Sequence, residues 1–133
     1  MNSKIAGGLV LALLVALGAG WLWGASGKSA LDRDRRALEA RLDFSDARAE
    51  MLDARVSLVQ QNFGDARHHL EAAQAAVARA QTRFREVQQA ERAGRLEVVL
   101  AHLREAARLA SLVDANAQNA IVQALQALVS AQP

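Results

Sequence analysis

The sequence predicts an all-α fold in which a single N-terminal transmembrane helix precedes a long coiled-coil-like helix and antiparallel helical hairpins. Residues 5–23 form an unbroken apolar run without a charge. Beyond that run apolar residues recur at helical spacing, and the one proline is the last of the 133 residues. Good helix formers, above all alanine, leucine and arginine, dominate this part. We therefore divide the chain into an anchor over 1–28, a coiled-coil-like helix over 29–62 and a hairpin region over 63–133.

The first segment has the length of a transmembrane helix. Its apolar run would span about 28 Å as a helix, close to the hydrocarbon thickness of a bilayer. Lys4 and Lys28 bracket the run, and Trp21 and Trp23 stand at its end, where indole rings settle among lipid headgroups. We expect a retained membrane anchor with the lipid bilayer as a partner. The alternative is a signal peptide cleaved near Gly27, where the residues are small.

Charges beside the apolar run bear on orientation. Lys28, Arg33, Arg35 and Arg36 follow it, whereas only Lys4 and the terminal amine precede it. By the positive-inside rule this favours a bacterial inner-membrane protein whose soluble part is cytoplasmic rather than periplasmic. The opposite orientation stays open, and the lack of cysteine does not decide between the two compartments.

The helix after the anchor has a heptad pattern. Residues 29–61 contain no glycine or proline. One core position, d, holds Leu31, Leu38, Leu52 and Val59, with Ser45 as the exception, and the other, a, holds Leu42, Ala49, Val56 and Phe63, with Arg35 as the exception. About four such heptads are enough to indicate a coiled coil. We predict that Leu38, Leu42, Leu52 and Val56 form its interaction seam.

Charged residues flank this predicted seam in a sorted order. Arg41 and Arg48 occupy g positions, and Asp46 and Asp53 occupy e positions. In a parallel pair of helices each g residue faces the e residue five positions later on the partner, so that Arg41 meets Asp46 and Arg48 meets Asp53. An antiparallel pair would oppose like charges. The pattern therefore favours a parallel homodimer.

Several positions fit a dimer seam poorly. Ser45, Ala49 and Arg35 bring little apolar surface to it, and Asp34 would face Glu39, a like charge. The alternative is a solvated helix whose apolar stripe packs on the later helices of the same chain.

The hairpin region shows three breaks, at residues 62–65, 93–95 and 114–116. At the first break we expect Gly64 to take the left-handed cap conformation and Asp65 to accept amide hydrogen bonds at the next helix start. An offset of 33 residues then aligns Phe63, Ala66, Leu70 and Ala73 with Leu96, Val99, Leu103 and Ala106.

This aligned pattern resembles the second helix of a tetratricopeptide repeat. The resemblance covers residues 48–113, about half of the chain, as two repeats. It implies that the aligned residues pack the hairpins together. It also implies a concave surface that binds peptides or the helices of other proteins.

Candidate groups for chemistry are few. The histidines are His68, His69 and His102, and the first two point about 100° apart on a helix, so they do not form one metal-binding face. There is no phosphate-binding glycine loop and no nucleophile elbow. We expect no enzymatic activity, no cofactor and no metal. Nucleic acid is not an expected partner either, since no aromatic platform accompanies the arginines.

Together these patterns indicate a membrane-anchored helical scaffold or adaptor. It would bind other proteins through helical surfaces, or pair with its own copies, at a bacterial membrane. One alternative is a small accessory subunit of a larger membrane complex that does not pair with itself. Another is a secreted helical binding protein, released after signal cleavage.

Overall fold

A computed structural model describes the backbone of residues 3–132 and the side chains of residues 30–132. Over these residues the chain is entirely helical, with no strand, as the sequence predicts. The helices are α1 (Ser3–Val59), α2 (Phe63–Glu86), α3 (Ala90–Ser111) and α4 (Ala117–Ala131). The chain forms two compact units, divided after Arg35. The first unit belongs to α1, and the second holds the rest of α1 together with α2, α3 and α4.

The structure contradicts the predicted transmembrane helix, and with it the single-pass localisation in a bacterial inner membrane. Within the part of the chain that it describes, no helix combines the length and the apolar character that crossing a bilayer requires. The apolar run is not a separate helix but belongs to α1, which has 57 residues and is rich in charge after Lys28. The side chains of the predicted anchor residues lie outside the described ones; these residues are Lys4, Trp21, Trp23 and Lys28.

The second unit is built around one apolar core. The core residues of α1 are spaced alternately by four and three positions, and the core residues of α2 have the same spacing. This spacing is typical of helices whose axes are nearly aligned, whichever direction the chains run. Small alanine side chains let the two backbones approach closely, and the larger residues fill the layers between them. The buried residues with this spacing are Ala40, Phe44, Ala47, Met51, Ala54 and Leu58 on α1, and Ala66, Leu70, Ala73, Val77, Ala80 and Phe84 on α2; Ala76 is buried beside them.

Polar contacts show that α1 and α2 run antiparallel. Arg36 Nη1 lies 3.9 Å from Glu86 Oε2, near the end of α2. At the other end of the pair, Ser57 Oγ donates to Asp65 Oδ2 at 2.8 Å, in the first turn of α2. Rising residue numbers on α1 therefore meet falling numbers on α2.

The remaining helices close the unit. α3 packs against α2 and α4 packs against α3. Gln81 Nε2 on α2 donates to the carbonyl oxygen of Ala93 on α3 at 2.9 Å. Gln118 Nε2, in the first turn of α4, donates to the carbonyl oxygen of Leu58 at 3.2 Å. The start of α4 thus returns to the end of α1, and residues of all four helices contribute to the one core.

The three connections between the helices share one geometry. Gln61, Gln88 and Val113 have φ values of 59°, 60° and 57°. The amide of Gln61 donates to Leu58 O at 3.1 Å, and the next amide, of Asn62, donates five residues back at 2.8 Å; the same pair of bonds recurs in the other two connections. This is the Schellman motif, whose left-handed position is usually a glycine.

Three expectations about the breaks are therefore wrong. The left-handed residue of the first break is Gln61, and Gly64 lies inside α2, which begins after Asn62. The Asn62 side chain, rather than Asp65, caps this helix, since its Oδ1 accepts from the Asp65 amide at 3.2 Å. The second break lies at residues 87–89, and Gly94 is within α3. A single glycine weakens a helix without ending it when the core positions continue on both sides.

Candidate interaction surface

α1 carries a second apolar stripe that its own chain leaves uncovered. We call Leu38, Leu42, Leu52, Val56 and Val59 the outer stripe. Their exposed fractions lie between 43% and 64%. Four of them are the predicted seam residues, and the fifth occupies a core position of the same heptad. The predicted seam is thus exposed on the second unit, with Ser45 and Ala49 between its two apolar segments.

The outer stripe and the buried stripe lie on opposite sides of α1. Leu42 and Phe44 are two residues apart, which is about 200° around a helix. Leu42 is 64% exposed, whereas Phe44 is 6% exposed and meets the Phe84 ring edge-to-face, with 6.5 Å between centroids. A different face of α1 packs on the later helices of the same chain. The structure therefore does not show the alternative in which the leucine stripe packs there.

Exposed apolar residues elsewhere in the described part of the chain are scattered. Leu31 lies on the part of α1 that belongs to the first unit, Val98 lies on α3, Leu112 and Val113 lie in the connection after it, and Val129 lies on α4. Single exposed residues of this kind are normal on protein surfaces, whereas a contiguous apolar patch marks an interaction site. The outer stripe, whose apolar residues recur along one side of α1, is therefore the candidate interaction site.

The charged residues beside the outer stripe are accessible. Arg41, Asp46, Arg48 and Asp53 are exposed, and none forms an ion pair within residues 30–132. Glu39, which occupies an e position like the two aspartates, behaves differently. Its carboxylate accepts a hydrogen bond from Arg83 Nη1 on α2.

A buried carboxylate lies on the inner side of α1. Asp43 is 6% exposed, and its oxygens accept from Arg79 Nε at 2.9 Å and from Arg83 Nε at 2.7 Å. The hydrogen bond to Asp43 raises the pKa of the Arg83 guanidinium, with smaller contributions from the nearby charges of Asp43 and Glu39. Both carboxylate oxygens are thus engaged, so the group joins two helices and is not available as a base.

Sequence reasoning missed this cluster because the heptad pattern assigned no role to Asp43. A signal was present, since Asp43 lies next to Phe44 and between Ala40 and Ala47, three residues of the buried stripe. Recognising it required the alanine positions to be read as core.

His69 is the histidine with resolved polar contacts. Its Nδ1 lies 2.8 Å from Glu50 Oε2 on α1, and its Nε2 lies 3.8 Å from Asp65 Oδ2. The hydrogen bond to Glu50 raises the pKa of His69, desolvation opposes this, and the negative charge of Asp65 adds to it. Ser57 donates to Asp65 rather than to the imidazole, so these groups do not form a hydrolytic triad.

The described residues hold no group of three or more metal-ligating side chains. His68 lies next to His69, with ring centroids 6.0 Å apart. His102 is on α3 and has no hydrogen bond or ion pair within residues 30–132.

A cavity of about 400 Å³ lies beside the outer stripe. Arg41, Arg48 and Arg92 contribute to its lining, together with Phe44 and Phe84, and no acidic residue does. The Arg92 guanidinium carbon stands 5.9 Å from the centroid of the Phe84 ring, a cation–π contact that holds one wall in place. Arg41 and Arg48, which flank the outer stripe, therefore lie on a positively charged surface.

The predicted repeat-packing residues are core residues. Phe63, Ala66, Leu70 and Ala73 lie on α2, and Leu96, Val99, Leu103 and Ala106 lie on α3; all are buried except Phe63, which is partly buried. α2 continues through residues 78–82, between the two aligned segments. The tetratricopeptide resemblance itself stays a prediction.

Comparisons of the chain with protein-family models, with curated proteins and with solved structures found no match. The protein is therefore characterised by its own geometry. It is an all-helical protein whose α1 helix supports an apolar core on one side and presents an apolar stripe on the other.

Proposed function

We propose that this protein is a helical scaffold or adaptor that binds a helix of another polypeptide along the outer stripe of α1. The observation that supports this proposal is the exposure of Leu38, Leu42, Leu52, Val56 and Val59 at heptad spacing on a helix whose opposite face is fully used. Binding of a helix to such a stripe follows the packing of coiled coils, in which each apolar residue inserts among four residues of the facing helix.

The size of the stripe suggests the strength of the interaction. Full burial of one such side chain contributes about 1.5–3 kcal/mol, and the stripe residues are already partly covered. A few kcal/mol from apolar burial is close to the low end of the cost of association, about 4–15 kcal/mol. Charged contacts beside the stripe would therefore decide which partner binds, and the interaction would be reversible.

An enzymatic function is not part of this proposal. The carboxylates of Asp43 and Glu50 and the imidazole of His69 take part in contacts between α1 and α2. These contacts stabilise the core of the second unit, and the Ser57 hydroxyl donates to Asp65 rather than to His69.

Photo-crosslinking of the full chain in its native cell tests the proposal. A p-benzoylphenylalanine in place of Leu42 should yield an adduct, because this residue is an exposed member of the outer stripe. The same group in place of Arg104, an exposed residue of α3, is the matched control. The adduct should disappear when Leu38→Ser and Leu52→Ser are added. A yield at position 42 no higher than at position 104 would overturn the proposal.

A further inference from the structure

We infer that the partner on the outer stripe is a second copy of this chain, paired in parallel and in register through α1. This inference rests on the proposed function and names its partner. Two equal copies related by a twofold axis present the same patch to each other, so the patch must complement itself. The apolar part of the outer stripe meets that condition in any orientation, and the charges select one.

The charged border of the stripe complements itself in the parallel orientation. There Arg41 of each copy faces Asp46 of the other, and Arg48 faces Asp53. All four side chains are exposed and free of ion pairs within residues 30–132, so they are available to a second copy. The antiparallel orientation would place arginine beside arginine and aspartate beside aspartate, which is unfavourable.

The fold also removes an obstacle to the parallel pair. Glu39 occupies the e position that precedes Asp46, and from the sequence its charge would lie unfavourably beside Asp34 of a second copy. In the structure the Glu39 carboxylate is bound by Arg83 of its own chain. The guanidinium compensates this charge within each copy, so that Arg41 with Asp46 and Arg48 with Asp53 remain as matched pairs, and Arg55 faces the neutral Gln60.

The rest of the second unit does not obstruct the approach. The core is on the side of Ala40, Phe44 and Ala47, opposite to Leu38 and Leu42. A second copy can therefore approach the outer stripe without displacing α2, α3 or α4. Ser45 and Ala49 lie between the Leu38–Leu42 pair and the Leu52–Val56 pair and are small enough for the two α1 helices to come close at the centre of the contact.

A charge-exchange experiment tests partner and orientation together. Light scattering on the full chain should give twice the mass of one chain. The dissociation constant of the dimer should be at least about tenfold higher for the variant Arg41→Glu with Arg48→Glu than for the wild type. The variant Asp46→Arg with Asp53→Arg should dissociate likewise. An equimolar mixture of the two variants should recover association. At positions 41, 46, 48 and 53 each acidic residue of one variant then faces an arginine of the other.

Several results of this experiment would overturn the inference. These are a wild-type monomer at all concentrations, undiminished association of the two charge variants, and a mixture that stays dissociated. The variant Arg104→Glu is the matched control for loss of positive charge and should associate like the wild type, because Arg104 lies on α3.

A disulfide cross-link provides a second test that does not depend on charge. The chain has no cysteine, so Ser45→Cys introduces a single thiol at the centre of the outer stripe. In the parallel register residue 45 of one copy lies beside residue 45 of the other, and mild oxidation should link most of the protein as a dimer. Ser111→Cys, on an exposed position of α3, should link little. Equal yields from the two variants would contradict the inference.

The two proposals fail in different ways. A specific photo-adduct at position 42 that has the mass of a different protein, with the purified chain monomeric, would keep the proposed function and overturn the parallel pair. Absence of a specific adduct and of self-association would overturn both.

Discussion

The carboxylate of Asp43 accepts a hydrogen bond from Nε of Arg83 at 2.7 Å and so joins α1 to α2 across 40 residues of the chain. Arg79 binds the other carboxylate oxygen from one turn earlier on α2, at 2.9 Å. Asp43 is buried, and a buried charge is stable only when its oxygens are compensated in this way. These two hydrogen bonds fix the register of α1 against α2, two helices whose facing residues include many alanines.

Replacing Asp43 by asparagine should lower the free energy of unfolding by about 2 kcal/mol, because two charge-assisted hydrogen bonds are weakened in a buried position. Urea denaturation followed by circular dichroism measures this change. Glu105→Gln is the matched control, since the Glu105–Arg108 pair lies within one turn of α3 and is exposed. A loss for Asp43→Asn no larger than for Glu105→Gln would show that the register does not depend on the buried carboxylate.

The stability of the second unit should fall as pH rises through the raised pKa of His69. The hydrogen bond to Glu50 favours the protonated imidazole in the folded chain. The resulting stabilisation is complete below the ordinary histidine pKa, about 6.5, and is lost as pH rises through the higher value of the folded state. The difference in urea midpoint between the wild type and His69→Gln should be largest below about pH 6.5 and should shrink as pH rises through the raised pKa of His69.

Glu50→Gln provides the control for this pH effect. It leaves the imidazole in place but removes the main cause of the raised pKa, so the histidine should titrate lower in a proton NMR titration. An unchanged titration midpoint would mean that Glu50 is not the group that holds the proton on His69.

Replacing Val113 by glycine should raise the free energy of unfolding by about 1 kcal/mol, because a β-branched residue in the left-handed region is strained. The φ of Val113 is 57°, and its side chain is exposed, so little packing is lost. Thermal unfolding measures the gain. Val98→Gly, at an exposed position within α3, should have the opposite sign by a similar amount. A loss at both positions would exclude backbone strain at Val113.

Replacing Gly94 by alanine should also stabilise the chain by about 1 kcal/mol, since glycine is a poor residue for a helix interior. An added Cβ at this position meets no atom within 4 Å, so no repacking opposes the gain. Gly64→Ala is the comparison, because Gly64 lies in the first turn of α2, where helix propensity matters less. Urea midpoints of the two variants, measured side by side, check the order; a larger gain at Gly64 would contradict it.

Much of the fold could be predicted from residue patterns. Long stretches of helix formers indicated the all-α class. The break predicted at 62–65 overlaps the first connection at Asn62 only, and the break predicted at 114–116 lies within the connection between α3 and α4. The second break was misplaced because Gly94 was taken as a helix end. The actual end depends on Gln88, a residue type that rarely takes a left-handed conformation and therefore gives no local signal. The transmembrane prediction came from the apolar run, with the lysines and tryptophans at its ends, and is contradicted in the described residues.

Of the two apolar stripes of α1, only the outer stripe was predicted from the sequence. Leucine and valine marked the outer stripe, because hydrophobic patterns are read from large apolar residues. The buried stripe consists largely of alanine, including Ala40, Ala47 and Ala54, and alanine is common on both buried and exposed helix faces. Which stripe would be covered therefore depended on the close approach of α2, and long-range packing of this kind is not encoded in local periodicity.

The two-sided use of α1 has a thermodynamic consequence. Both stripes exist only while α1 is helical, and the core holds it in that state through residues such as Met51 and Leu58. A protein that docks on the outer stripe recognises the folded chain and not the unfolded one, so its binding free energy adds to the stability of the core by mass action. Conversely, a cavity-forming change at Met51 would weaken docking on the opposite side of the helix without touching the contact itself.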